Sequence, residues 1–323
     1  MKKFLSIIFV VSVLITSYSC EDNLNPYGDF KDRYVLNCII RGDTTFQSAT
    51  LTKDYVVDGF NPFSNTTNES VKGATVRIWS GNDKVALMRD TTIARPEGDP
   101  YKTPYTVFYT NNFQPDASIP LSIEAILPNG KRLTCSTTAP APLSMVSNSS
   151  DKAIPSSGKD YVRFSWSTTQ KDPVFITRLA IYYYKHGGGQ KTRNVAVVPA
   201  NYVQYDNTWV PNYPKPTSEM GYSVDMKTIS KAMELISAGD PNKSNYEILA
   251  CILEVLSLDP GLSTYYNATA RSRDIYSVKL DETDFTNING GYGVFGIYMR
   301  TYWVTFLDHA YIQSFGYVPG LKE

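Results

Sequence analysis

Between residues 33 and 138 apolar and polar side chains alternate in short runs separated by turn clusters. Tyr34, Leu36, Cys38 and Ile40 fall on one face of an extended segment, and Ala74, Val76 and Ile78 fall on one face of another that ends at Ser80-Gly81-Asn82-Asp83. A period of two without a helical period predicts half-buried strands. Further runs at 105–110 and 121–127 follow, and Pro128-Asn129-Gly130 is a hairpin signal that joins the second of them to 131–137. Ala139-Pro140-Ala141-Pro142 interrupts the pattern, because successive prolines donate no ladder hydrogen bonds and stiffen the chain.

The pattern restarts with Tyr161-Val162-Arg163-Phe164-Ser165-Trp166 and continues through 174–185, a turn at His186-Gly187-Gly188-Gly189, and 192–198. One helix is expected near 225–238: Met226, Ile229, Met233 and Ile236 share a helical face, Asp225 is placed to cap the start, and Gly239-Asp240-Pro241 stops it. A strand at 246–256, a shorter helical segment at 263–271 and an aromatic strand at 294–306 complete the half. The expected fold is mainly β, with two β-sandwich domains of immunoglobulin or fibronectin type and one or two short helices in the second. The divisions are an N-terminal sandwich at 33–139, a linker at 140–160 and a β-rich domain at 161–323. Trp166 followed by a Tyr-rich strand resembles the B and C strands of a fibronectin-type sandwich.

Residues 1–19 have another character. Lys2 and Lys3 precede an apolar run from 4 to about 16, then small residues lead to Cys20. This is the layout of a signal peptide, and the run is short of the roughly 20 residues a membrane-spanning helix needs. Cys20 after Ser17-Tyr18-Ser19 resembles a bacterial lipoprotein cleavage site, although Ser17 departs from the usual Leu, Val or Ile. The expectation is a lipid on Cys20 and a tether over 20–32. Glu21 and Asp22 resemble the acidic tag that sends lipoproteins of Bacteroidota to the cell surface; the other reading is a solvated tether.

Composition narrows the function classes. The chain carries 31 Lys and Arg against 31 Asp and Glu, so the positive excess that nucleic-acid binding requires is missing. With 42% hydrophobic residues it can build a substantial core, and with only two His it has few routes to a His-based triad or zinc site. Gly291-Tyr292-Gly293-Val294-Phe295-Gly296 spells a dinucleotide fingerprint, yet the residues after it are β-branched and aromatic where the fingerprint requires a helix. A tight glycine turn into a strand is the expectation. His186 and His309 are read as surface residues, and Asp281-Glu282-Thr283-Asp284 as a solvated turn without the ligand alternation of a calcium loop. No metal, cofactor or catalytic group is expected.

Three cysteines follow Cys20. Cys38 and Cys135 lie on the inward faces of the first and last strands of the N-terminal half, either bridged or as two buried thiols, and Cys251 reads as a core residue. Tyr202, Tyr205, Trp209, Tyr213 and Tyr222 line a proline-studded stretch. They either pack on their own domain or form a contact surface, with Trp209 leaning to packing and Tyr213 to contact; Tyr205, Trp209 and Tyr213 are the candidate contact residues. Asp43-Thr44-Thr45 and Asp90-Thr91-Thr92 resemble O-glycosylation sites of Bacteroidota, at Thr44 and Thr91.

Val71-Lys72-Gly73-Ala74-Thr75-Val76-Arg77-Ile78, the segment from Pro128-Asn129-Gly130-Lys131 through Thr138-Ala139-Pro140-Ala141-Pro142, and Asn287-Ile288-Asn289-Gly290-Gly291-Tyr292-Gly293-Val294-Phe295-Gly296 occur in an order that resembles the Bacteroidota lipoproteins grouped as domain of unknown function 4249. The resemblance implies an outer-membrane location and association with TonB-dependent receptors, and supplies no catalytic residues. The expected function is therefore that of a lipid-anchored, non-enzymatic accessory or binding component alongside a TonB-dependent transporter. A structural or adhesin-like surface lipoprotein is the alternative. The ligand is not specified by the sequence.

Overall fold

A computed structural model describes residues 32–54, 66–67, 69–99, 101–146, 153–155, 159–206, 208–271 and 285–320. The segment expected to be a signal peptide, Cys20, nearly all of the expected tether and the acidic segment 281–284 read as a solvated turn lie outside the described residues, as does most of the Ser- and Gly-rich stretch from 148 to 159.

The N-terminal half forms β1 (Tyr34–Arg41), β2 (Gln47–Lys53), β3 (Thr75–Ser80), β4 (Lys84–Ile93), β5 (Tyr105–Thr110), β6 (Pro120–Ile126) and β7 (Arg132–Thr138). Their side chains alternate between interior and surface as the period of two requires, so Leu36, Cys38 and Ile40 of β1 face inward with Val76, Ile78, Phe108, Leu121, Ile123 and Leu133. The hairpin signal is realised: Gly130 takes φ +82 and β6 pairs with β7 from Pro120 opposite Thr138 to Ile126 opposite Arg132.

The C-terminal half adds β8 (Ser144–Met145), β9 (Ala153–Ile154), β10 (Tyr161–Ser167), β11 (Val174–Gly187), β12 (Gln190–Val198), β13 (Asn201–Tyr205), β14 (Thr208–Asn212), β15 (Gly221–Asp225), β16 (Tyr246–Leu258), β17 (Phe295–Leu307) and β18 (Val318–Pro319). Among the described residues three α-helices interrupt them: α1 (Met226–Ile236), α2 (Pro260–Arg271) and α3 (His309–Ser314). The fold is mainly β and sandwich-like. A three-stranded sheet, β15-β10-β8, brings Phe164, Trp166 and Val224 against Leu179, Ile181, Leu253 and Val255 of β11 and β16, and α1 adds Ile229 and Met233 to the same core.

The helix at 226–236 follows its apolar spacing and is capped at Ser237, after which Ala238 at φ +46 and then Gly239 at φ +85 turn the chain away. Its cap differs from expectation. Asp225 sits at the N-cap position without a side-chain cap, and the Met226 amide donates instead to the Asp160 carbonyl at 2.8 Å. Asp225 belongs to β15, paired with Tyr161, so the strand ladder and not a side chain delivers the acceptor.

The expected division near residue 139 separates two cores but does not divide the sheet. β1 pairs in parallel with β17, Cys38 opposite Phe295 and Ile40 opposite Ile297, so one 13-stranded sheet runs through eleven strands in the order β12-β11-β16-β17-β1-β2-β5-β4-β3-β6-β7, with β18 added beside β16 and β9 beside β17. Residues 33–323 form one compact unit. Ile288, Phe295 and Ile297, far along the chain, complete the N-terminal core. The linker is structured at its ends: β8 pairs with β10 and β9 with β17.

Candidate functional site

The glycine segment that imitates a nucleotide fingerprint closes the N-terminal core. Asn289 exchanges backbone hydrogen bonds with Thr134 of β7 at 3.1 and 2.8 Å, and Tyr292 does so with β1 through Tyr34 and Leu36 at 2.8 Å each. The segment thus bridges the two terminal strands of the N-terminal half. Gly290, Gly291 and Gly293 sit where backbone passes too close for a side chain: a Cβ on Gly290 would strike the Arg132 carbonyl, one on Gly291 would lie 2.6 Å from the Tyr34 carbonyl oxygen, and one on Gly293, at φ +113, would strike Leu36. A strand, β17, follows, so no helix N-terminus faces a phosphate here.

Asp259 locks the same seam from the other side. The residue is fully buried; its carboxylate accepts from the Thr137 hydroxyl on β7, from the Gly261 and Leu262 amides at 3.2 and 3.1 Å at the start of α2, and from the Ile297 amide of β17 at 3.1 Å. Burial raises the pKa of this carboxyl, and the four donors oppose the rise. The group is saturated by the fold and presents no free oxygen to a substrate.

The aromatic stretch is arranged quite differently. β13 and β14 form a two-stranded ribbon with Val203 opposite Val210 and Gln204 opposite Trp209. Asp206, at φ +52, opens its turn, and its base is fastened by the Ala200 amide donating to the Asn212 carbonyl at 2.8 Å and by paired bonds between Phe175 and Thr217. Tyr205 is 65%, Trp209 50% and Tyr213 52% exposed, and Val203 and Val210 are exposed as well. Cross-strand pairing puts Val203, Val210 and Tyr205 on one face and Trp209 on the other, so both faces carry uncovered apolar groups. Trp209 is therefore half in solvent and not a core residue, which departs from the lean drawn from sequence; Tyr213 is exposed as expected. Tyr222 leaves the group altogether, since it is buried on β15 and burial pushes its phenol to about 12. Tyr202 is half-buried, and burial together with nearby Tyr213 raises its pKa.

A second uncovered apolar surface escapes sequence reasoning. On the outer face of the sheet Val197, Ala180, Ile252 and Val304 stand in register across β12, β11, β16 and β17, with Ala180 buried between its neighbours and Val197 and Ile252 half-buried. Val195, Val304 and Phe306 are exposed. The only sequence signal is that β17 lacks charged residues at alternate positions after Arg300, which is equally the mark of a strand buried on both faces. One rim of this surface is ionic. Glu254 accepts from Arg300 at 2.6 Å and from the Tyr182 hydroxyl at 3.1 Å, with Arg178 at 3.6 Å, and Arg300 also reaches Asp43 at 3.2 Å. Burial opposes ionisation of Asp43, but hydrogen bonds from Arg41 and Arg300 outweigh it and hold the carboxyl below its ordinary value. Beyond that rim, α2 covers the sheet through Leu262, which packs with Leu258 and Tyr298.

The remaining sequence candidates are scattered. Cys38, Cys135 and Cys251 are free buried thiols, so the bridged alternative for Cys38 and Cys135 is not realised; burial lifts the thiol of Cys38 to about 12 and that of Cys135 to about 11. The Thr44 hydroxyl accepts from the Phe46 amide at 3.2 Å in a turn, whereas Thr91 is exposed on β4 opposite Val107. His186 lies at the β11–β12 hairpin, 2.7 Å from Glu247, and His309 opens α3. Among the described residues no group of three or more His, Cys, Asp or Glu side chains is disposed to hold a metal ion, and no helix is long and apolar enough to cross a membrane.

A family model described as Domain of unknown function (DUF4249) matches residues 21–302, a span that includes the glycine seam, the ribbon and nearly all of the common sheet. No curated protein matches the sequence.

Proposed function

Because the chain belongs to the DUF4249 family, we propose that it is a lipid-anchored outer-membrane protein that binds a protein partner through the β13–β14 ribbon, as a non-enzymatic component alongside a TonB-dependent transporter. The observation that carries this reading is the exposure of Tyr205 and Trp209 on opposite faces of the ribbon, and of Tyr213 directly after it. An isolated hairpin of this size is marginal in water, and large aromatic side chains left in solvent stabilise nothing in the free chain. Tyr and Trp are the residues that anchor interfaces, because they desolvate a large area at little rotamer cost. The short apolar run that ends at Cys20 supports the anchor.

The test is co-purification from detergent-solubilised outer membrane. Wild type is expected to bring down a TonB-dependent receptor, and a variant combining Tyr205→Ala, Trp209→Ala and Tyr213→Ala is expected to lose it while melting near wild type. Retention of the receptor by that variant would sink the assignment of the ribbon. Separately, Cys20→Ser is expected to abolish labelling by an alkyne fatty acid, and equal labelling of the two chains would remove the anchor.

A further inference from the structure

The lipid-bearing end of the chain enters the body at one end of the N-terminal strands, and the side chains gathered there have a common character. Arg33 precedes β1, next to the tip of the β6–β7 hairpin, where residues 128–132 are exposed. The Arg33 guanidinium lies 5.4 Å from the centre of the Tyr292 ring, and the Lys131 ammonium 5.3 Å from that of Tyr34. Asn129 donates to the Tyr34 hydroxyl at 3.1 Å and accepts from the Lys131 amide at 3.0 Å, which fixes the tip over that ring. Lys53 stands opposite Tyr34. The neighbouring acids are Asp32, Asp54, Glu69, whose carbonyl accepts from the Lys53 amide at 2.9 Å, and Glu124, which pairs with Arg132 at 3.1 Å. The charges at this pole balance, and what distinguishes it is that cations seated on ring faces keep N–H donors directed to solvent.

We propose that this pole rests on the anionic lipid surface that holds the Cys20 acyl chains, with Arg33 and Lys131 donating to lipid phosphates and the half-exposed Tyr292 ring at headgroup level. The inference depends on lipidation of Cys20. The peptide from Cys20 to Arg33 spans at most roughly 45 Å when fully extended, so the anchor keeps this pole within that reach of the bilayer. Membrane surface potential decays over about 10 Å, so only groups at the facing pole feel it. Lys84, in the β3–β4 hairpin, lies at the other end of β3 from Thr75, the residue paired with Ile126 beside the β6–β7 tip. It serves as the distant reference. A basic side chain at an anionic surface favours contact about five-fold, which suits an orienting role added to an acyl anchor.

The experiment compares amine acylation of Lys131 and Lys84, read by peptide mass spectrometry. The lipidated protein is placed in vesicles of phosphatidylcholine with phosphatidylglycerol, or of phosphatidylcholine alone, and the soluble Cys20→Ser chain is the reference. Lys131 is expected to react several-fold more slowly on anionic vesicles than in the soluble chain, with protection lost on neutral vesicles or in high salt and with Lys84 unchanged throughout. Arg33→Glu should return most of the Lys131 reactivity without altering the melt. Equal reactivity of Lys131 on anionic vesicles and in solution would overturn the proposal, and so would equal protection by neutral vesicles. An N-terminal peptide without acyl mass would overturn the anchor and this proposal together, whereas an acylated chain with unprotected Lys131 would overturn this proposal alone.

Discussion

The glycine segment from Gly290 to Gly296 and the ribbon from Asn201 to Asn212 are two conspicuous stretches of the sequence that the fold treats in opposite ways. In the first, backbone passes so close to β1 and β7 that a methyl group at Gly293 would strike Leu36. In the second, Tyr205 and Trp209 stand half or more in solvent on opposite faces of a ribbon held only at its base. The contrast separates two reasons for an unusual local composition. Where removing side chains lets backbones meet, the composition serves folding; where large apolar groups are kept without burying them, it serves something outside the fold.

The sharpest break of this contrast is Gly293→Ala. Positive φ and a direct clash with Leu36 add, so a loss of about 4 kcal/mol or failure to fold is expected, with no response of the melt to added dinucleotide. A Gly188→Ala control, also at positive φ but with open space around its Cβ, should cost only about 1 to 2 kcal/mol. Similar melts for the two variants would show that the seam is not tightly closed.

Next come the tryptophans. Trp166, buried against Phe175 and Trp303, should lose about 3 to 5 kcal/mol on truncation to Ala, whereas Trp209→Ala should lose less than about 1 kcal/mol and act on partner capture instead. Denaturant unfolding of both chains checks this, and a large stability loss at Trp209 would restore it to the core. Asp259→Ala should fall between them, at about 2 to 3 kcal/mol, because it strands the Thr137 hydroxyl and the Leu262 and Ile297 amides without an acceptor. A melt equal to wild type would mean that these donors find other partners.

The smallest expected effect is electrostatic. Asp43 has a folded pKa below its ordinary 3.8, so its pairing with Arg41 and Arg300 stabilises the protein above that pH and is lost as pH falls through the folded value. Melts from neutral pH to below 4 should therefore drop more steeply for wild type than for Asp43→Asn. Parallel curves would remove Asp43 from the account. The pair is partly solvent-screened, which keeps the difference small.

Local features were well marked along the chain. The alternation in β1 and β3, the Pro128-Asn129-Gly130 turn and the spacing of Met226, Ile229, Met233 and Ile236 each depend on residues a few positions apart, so the sequence determined where those elements lie. The same holds for rejection of the nucleotide motif, since Val294, Ile297 and Tyr298 disfavour the required helix. Other outcomes have no local signature. Parallel pairing of Cys38 with Phe295 depends on two segments meeting across most of the chain, and only that meeting turns two expected sandwiches into one sheet. Saturation of Asp259 requires donors from β7, α2 and β17 at once. Exposure of Trp209 was settled by how the ribbon leaves the sheet edge, because an aromatic residue in a two-stranded segment fits core and contact surface equally well until its neighbours in space are known. Short-range pattern reports which face of an element is apolar; what covers that face is a property of the assembled chain.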